Sequence, residues 1–183
     1  KTFLWMHKKY ATRTALSDYA FMELPEHAYD SVTYTDKCDL FMNGNPAGDG
    51  QWASSYLAQS QNMLKGSFFV AEAQAGSWKV GQAFDDYMAL AIDGKWVVSN
   101  NTYKTTSTGF CQVTSGWHEF EIVWGDTFGG YGPTGSFVKN GVRYPLVVTI
   151  NGASDWVPFH PDFFVFGEAP LSIGLSSDTE LKA

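Results

Sequence analysis

The sequence predicts an all-β chain folded as an antiparallel β-sandwich. Three observations carry that prediction. Short apolar or aromatic runs recur along the chain, several alternating with polar residues at period two. Gly, Asp and Asn punctuate them at turn-forming positions. The 183 residues are 44% hydrophobic and 16% aromatic, enough to bury a core in one domain. Many short strands between turn signals is the pattern of a sandwich.

The elements follow in order. Residues 66–73 form a short apolar run that ends before Gln74-Ala-Gly76. In residues 77–84, Trp78, Val80 and Phe84 alternate with polar positions, with a break at Gln82. Residues 87–92 are apolar throughout. Asp93-Gly94 then turns the chain into Lys95-Trp-Val-Val98, and Asp-Gly between two such runs is a strong hairpin signal. Residues 117–124 alternate again, and the runs 143–150, 162–166 and 171–175 complete the set. Trp78, Val80, Leu90, Ile92, Phe120 and Ile122 are expected between the two sheets. Residues 54–64 read as a short helix with Gln and Ser on its polar positions. The polar stretch Asn43-Gly-Asn-Pro-Ala-Gly-Asp-Gly50 reads as a long surface loop.

Charge narrows the partners. Twelve Lys+Arg stand against nineteen Asp+Glu, a net charge of -7. Nucleic acid is disfavoured, because a basic face would have to supply the affinity. Attraction to anionic lipid is disfavoured equally. No stretch approaches the ~20 apolar residues of a membrane helix, so direct membrane insertion is not expected. The start, Lys1-Thr-Phe-Leu-Trp5, lacks a signal-peptide layout, and the chain reads as a mature protein or an excised module. Asn100-Asn-Thr102 is a formal glycosylation sequon.

Neither zinc nor hydrolytic chemistry has a motif. His7, His27, His118 and His160 are scattered, and there is no CxxC. No Gly-x-Ser-x-Gly elbow or HExxH is present. Glycosidases need two carboxyls facing across a substrate, and adjacent loop residues seldom do so. Glu119 and Glu121 alternate with Phe120 and Ile122 and read as a strand's solvent face, and His118 reads as structural. Cys38 and Cys111 are either two free thiols or one disulfide. A bridge would close a loop of about 70 residues and stabilise by about 4 kcal/mol.

One constellation asks for more. Asp85-Asp86 ends one run, and Asp126-Thr-Phe-Gly-Gly-Tyr-Gly132 follows another. Two readings stand. These are ordinary polar hairpin turns, or they are oxygen donors for a hard cation. Calcium takes 6–8 oxygens and accepts carboxylates and carbonyls together, and glycines free the backbone to turn its carbonyls inward.

Residues 76–132 bear a family resemblance. The ordered series is Gly-Ser-Trp-Lys-Val, Phe-Asp-Asp, Ile-Asp-Gly-Lys with Val-Val, and Ser-Gly-Trp-His-Glu-Phe-Glu-Ile-Val-Trp. It resembles the PA-fourteen domain, the protective-antigen type of β-sandwich found in fungal flocculins, other microbial adhesins and modules attached to glycosidases. The resemblance implies a single PA-fourteen-like module over residues 1–183, with ligand loops at one end. In sugar-binding members an aspartate pair holds calcium. A second loop adds a side chain and two backbone carbonyls.

Carried over residue by residue, the resemblance makes Asp85 and Asp86 the paired ligands. It puts Asp126 at the side-chain position, where flocculins have asparagine. Phe128 and Gly130 fall at the carbonyl positions. Three carboxylates and two carbonyls leave coordination positions for two neighbouring sugar hydroxyls. Gly129, Tyr131, Tyr87, Gln51 and Trp52 are the further ligand-binding candidates, with Asp49 behind them. Gly129-Gly130 replaces bulkier flocculin residues, so sugar preference does not carry over.

The implied function is a calcium-dependent, non-enzymatic carbohydrate-binding module. It belongs to a larger extracellular or cell-surface protein, and its partner is a glycan. An extracellular setting would also suit a Cys38–Cys111 bridge. The alternative is a non-catalytic structural or protein-interaction domain of the same fold without lectin activity.

Overall fold

The computed structural model describes residues 5–10, 31–35, 45–46, 61–85, 87–100, 106–125, 132–160 and 162–167. The first three strands are β1 (Trp5–Tyr10), β2 (Ser31–Thr35) and β3 (Asn45–Pro46). Next come β4 (Gln61–Val70), β5 (Gly76–Gln82), β6 (Phe84–Asp85), β7 (Tyr87–Ile92) and β8 (Lys95–Asn100). The middle is β9 (Ser107–Val113), β10 (Gly116–Gly125), β11 (Gly132–Pro133) and β12 (Val138–Lys139). The series ends with β13 (Val142–Arg143), β14 (Leu146–Ile150), β15 (Val157–Pro158) and β16 (Val165–Gly167). A 3-10 turn at Glu72–Gln74 interrupts the strands.

The fold is an antiparallel β-sandwich. One sheet has the order β2-β1-β4-β10-β7-β8, and the facing sheet is β15-β14-β5-β9. On the edge of β4 away from β10, β1 pairs with residues 61–65 and β16 with residues 67–69. Two small ribbons, β11-β6 and β12-β13-β3, flank these sheets.

Alternation decides what is buried. Trp78, Val80, Leu90, Ile92, Phe120 and Ile122 are all in the core, as their period-two spacing predicts. Phe68 forms its aromatic centre, with Trp78, Phe120, Phe159, Phe164 and Phe166 at centroid separations of 5.1 to 6.3 Å. The Trp78 indole N–H is satisfied by the Gln74 carbonyl at 2.7 Å. At one corner, β8 crosses β9 so closely that a Cβ on Gly109 would lie 1.7 Å from the Val97 carbonyl oxygen. The Asp93-Gly94 hairpin joins β7 and β8. Asp93 and Gly94 both adopt positive φ, 49° and 73°, as a type I′ turn requires.

Three expectations need correction, and one strand was unforeseen. Residues 61–64 belong to β4 rather than to a helix, and residues 54–60 lie outside the described residues. The run 143–150 is broken at Tyr144-Pro145 between β13 and β14, since proline has no N–H for the ladder. The run 162–166 is strand only from Val165. Strand β9 was not anticipated: its inward positions are Ser107, Gly109, Cys111 and Val113, too small and polar to register as an apolar period. The run 171–175 and the loop residues around Asp49 lie outside the described residues.

Candidate functional site

The site is built by two strand pairings. After β5, the Ala83 N–H donates to the Pro145 carbonyl at 2.9 Å, and the Thr134 N–H donates to the Ala83 carbonyl at 3.1 Å. These bonds steer the chain into β6. There Asp85 pairs with Gly132 and Phe84 with Pro133. Immediately beyond, β7 pairs with β10, and Tyr87 lies opposite Gly125. The segment between Gly125 and Gly132 therefore leaves the sheet beside Tyr87 and returns beside Asp85. Antiparallel partners of this kind lie about 4.5–5.5 Å apart at Cα. Gly125 and Gly132, the residues flanking that segment, are thus held beside Tyr87 and Asp85 at one end of the sandwich.

Among the candidates, Asp85 is described with its side chain and Tyr87 by its backbone in β7. Asp86, Asp126, Phe128, Gly129, Gly130, Tyr131, Gln51 and Trp52 lie outside the described residues. Chain connectivity still ties Asp86 between Asp85 and Tyr87, and Asp126 directly after Gly125.

Asp85 is 7% exposed, and Phe84, Met88 and Trp124 around this junction are buried. The donor chemistry fits a hard divalent cation. An aspartate oxygen stands at a strand end, and the sequence places two more aspartates and a glycine-rich loop within a residue or two of the paired backbone.

His118 serves the opposite end. It is buried, and its Nδ1 lies 2.6 Å from Asp93 Oδ2 and its Nε2 2.9 Å from the Thr114 carbonyl oxygen. Asp93 Oδ1 accepts from the Glu119 N–H at 3.0 Å. The histidine thus locks the hairpin turn against β10 and has the structural role its strand position suggested. Glu119 is exposed, and Glu121 pairs with Lys65 at 3.1 Å, as residues of a solvent face do. Cys111 carries a free thiol in the structure. Burial, and secondly the charge of Asp93, push its pKa up to about 11. Cys38 lies outside the described residues.

Solved structures share this architecture. The PA14 domain of an antifreeze protein superposes with a TM-score of 0.60 at 16% identity, covering 92% of each chain. The fold is PA14-like. A PA14 sugar-binding domain from an RTX adhesin gives 0.53 at 16% identity, over 87% of this chain and 96% of that one. The epithelial adhesin 9 A domain from Candida glabrata, solved in complex with Galβ1-3GlcNAc, gives 0.59 at 8% identity over 93% and 91% of the two chains. No family model matches the chain. One curated relative, an alpha-agarase from Alteromonas agarilytica, is 33% identical over 76 residues, 41% of this chain. The match spans only 5% of that enzyme's length.

The sequence reading reached the acidic end but missed a second feature, the outward row Thr149, Lys79 and Phe110 across β14, β5 and β9. No sequence signal joins those three residues. Their proximity depends on register between strands that are not neighbours in sequence.

Proposed function

We propose that this chain is a calcium-dependent carbohydrate-binding module without catalytic activity, working as part of a larger extracellular or cell-surface protein. One observation carries the reading: backbone pairing joins Asp85 to Gly132 and Tyr87 to Gly125, so both flanks of the segment 126–131 are anchored beside Asp85 and Tyr87. The sugar-binding domains among the structural neighbours support the ligand class. The short match to alpha-agarase supports a place beside other domains in a longer protein. Among the described residues no helix is long and apolar enough to cross a membrane.

In this reading, Asp85, Asp86 and Asp126 hold calcium through carboxylate oxygens, with the Phe128 and Gly130 carbonyls beside them. Bound calcium supplies a positive centre on which a sugar diol replaces water. The protein supplies the rest. Strand pairing fixes Asp85, and Phe84, Met88 and Trp124 are buried in the adjoining strands. Gly129, Tyr131, Tyr87, Gln51 and Trp52 shape the rim that selects among sugars. Affinity for one sugar unit is modest, because each hydroxyl only exchanges for a coordinated water.

A glycan array probed with the chain in calcium and again in EGTA tests this function. The expected result is a defined set of glycans bound in calcium and lost in EGTA. Glycan binding unchanged by EGTA would refute the calcium dependence. Absence of any glycan binding in calcium would favour a structural or protein-interaction domain of the same fold.

A further inference from the structure

The outer face of the sheet β15-β14-β5-β9 is divided. Over its half nearer the aspartates, Phe137 lies against Gly81, and Trp156 meets Phe137 edge-on with centroids 5.9 Å apart. Over the other half the face is open. There a groove of 420 Å³ is lined by Ser77, Lys79, Phe110, Thr149, Gly152 and Ser154. Small-molecule sites run from about 300 to 1,000 Å³, so the groove suits a ligand at the small end of that range.

Its floor is a transverse row. Thr149 pairs with Lys79, and Lys79 pairs with Phe110. Strands lie about 4.8 Å apart, so the row presents a hydroxyl, a cation and an aromatic ring over about 10 Å. Phe110 is 71% exposed, the most open large hydrophobic side chain among the described residues. Lys79 Nζ lies 5.9 Å from its ring centroid. Among the described residues Lys79 has no ion-pair partner, unlike Lys65 on Glu121 and Lys139 on Asp155.

The wall is pre-formed. Asn151 Oδ1 accepts from the Ser77 N–H at 2.9 Å, and its Nδ2 donates to the Ala75 carbonyl at 2.8 Å. These bonds pin the turn carrying Gly152 and Ser154 onto the start of β5. The acid nearest in sequence on that turn, Asp155, is held by Lys139 at 2.8 Å and is already neutralised.

We propose that this groove is a second saccharide site, specific for a sugar ring bearing a carboxylate or sulfate. The exposed Phe110 face stacks on the apolar face of the ring. Lys79 pairs with the anionic substituent. The Ser77, Thr149 and Ser154 hydroxyls serve the ring hydroxyls. A free cation in a chain of net charge -7 favours an anion over a neutral ligand here. The site shares its ligand class with the proposed function but none of its residues. Lys79 lies six positions before Asp85, at most about 20 Å of strand away.

Amide chemical-shift titration of the chain in EGTA tests the site with calcium chemistry switched off. The probes are a galacturonic acid disaccharide, galactose 6-sulfate, neutral lactose, and a short acidic peptide of the disaccharide's charge. The expected result is saturable shifts at Lys79, Phe110, Thr149 and Gly152 with at least one anionic sugar and much weaker shifts with lactose. Lys79→Gln should weaken binding about tenfold or more, Lys79→Arg should restore much of it, and Phe110→Ala should abolish it. Unchanged melting temperatures of these surface variants would establish that they fold. Equal binding of lactose, equal binding of the peptide, no saturable shift with either anionic sugar, or indifference to Lys79→Gln would each overturn the proposal. Because EGTA is present throughout, the glycan array and this titration can fail independently.

Discussion

The two ends of the sandwich solve opposite problems. At the end holding the Asp93 turn, packing fills the interior and hydrogen bonds fix the turns. Phe68, Trp78 and Phe164 fill the interior, His118 ties Asp93 to β10, and Asn151 ties the β14–β15 turn to β5. At the other end the paired backbones of Asp85 and Gly132 hold a buried carboxylate where packing alone would favour an apolar side chain. The first end is held by aromatic packing and turn-fixing hydrogen bonds, and the second withdraws the Asp85 carboxylate from water.

The largest expected effect breaks the first end. Trp78→Ala removes a fully buried indole and should cost about 3–5 kcal/mol. The melting temperature should fall on the order of 10 °C for a chain of this size, equally in calcium and in EGTA. Asp85→Asn, by contrast, should change stability little in EGTA. A loss as large as that of Trp78→Ala would show that Asp85 is a folding residue instead.

An intermediate effect concerns pH. His160 is buried, and its Nδ1 accepts the Asp162 N–H at 3.1 Å, which fits a neutral ring better than an ion pair with the Asp162 carboxylate at 3.4 Å. Burial lowers its pKa below the ordinary 6.5, with Asp162 opposing more weakly. The unfolded chain therefore binds the proton first as pH falls through 6.5, and stability drops in that window. Above 6.5 the ring is neutral in both states and contributes no slope. Thermal unfolding at pH 7.5 and 5.0 should show the drop, and His160→Gln should reduce it.

The smallest effect is kinetic. Cys111, with its thiol pushed up to about 11, should react with alkylating reagents far more slowly in the native chain than after denaturation. Thiol titration of the denatured, unreduced chain should find Cys111 reactive. Its absence from the count would restore the disulfide.

What the sequence disclosed follows the same division. The β7–β8 hairpin was legible because Asp93-Gly94 has one economical conformation, and six core positions were legible because large apolar side chains alternated there. Strand β9 was not, because its inward positions are small and its largest residue, Phe110, points outward. The polar start of β4, Gln61-Asn62, concealed a strand that tertiary pairing with β1 and β10 imposes. Asp85 was legible as half of an acidic pair at a strand end. The pairing of Gly132 with Asp85 was not, since register between distant strands leaves no local mark.

Calcium binding at the acidic end is decided by calorimetric unfolding in calcium and in EGTA. A ligand that binds only the folded state at a hundredfold excess over Kd stabilises by about 2.7 kcal/mol. The melting temperature of the unaltered chain should be several degrees higher in calcium, with most of that difference gone in Asp126→Ala and in Asp85→Asn. Identical melting in calcium and EGTA, with no heat of calcium binding by titration, would contradict it and leave the aspartates as turn residues.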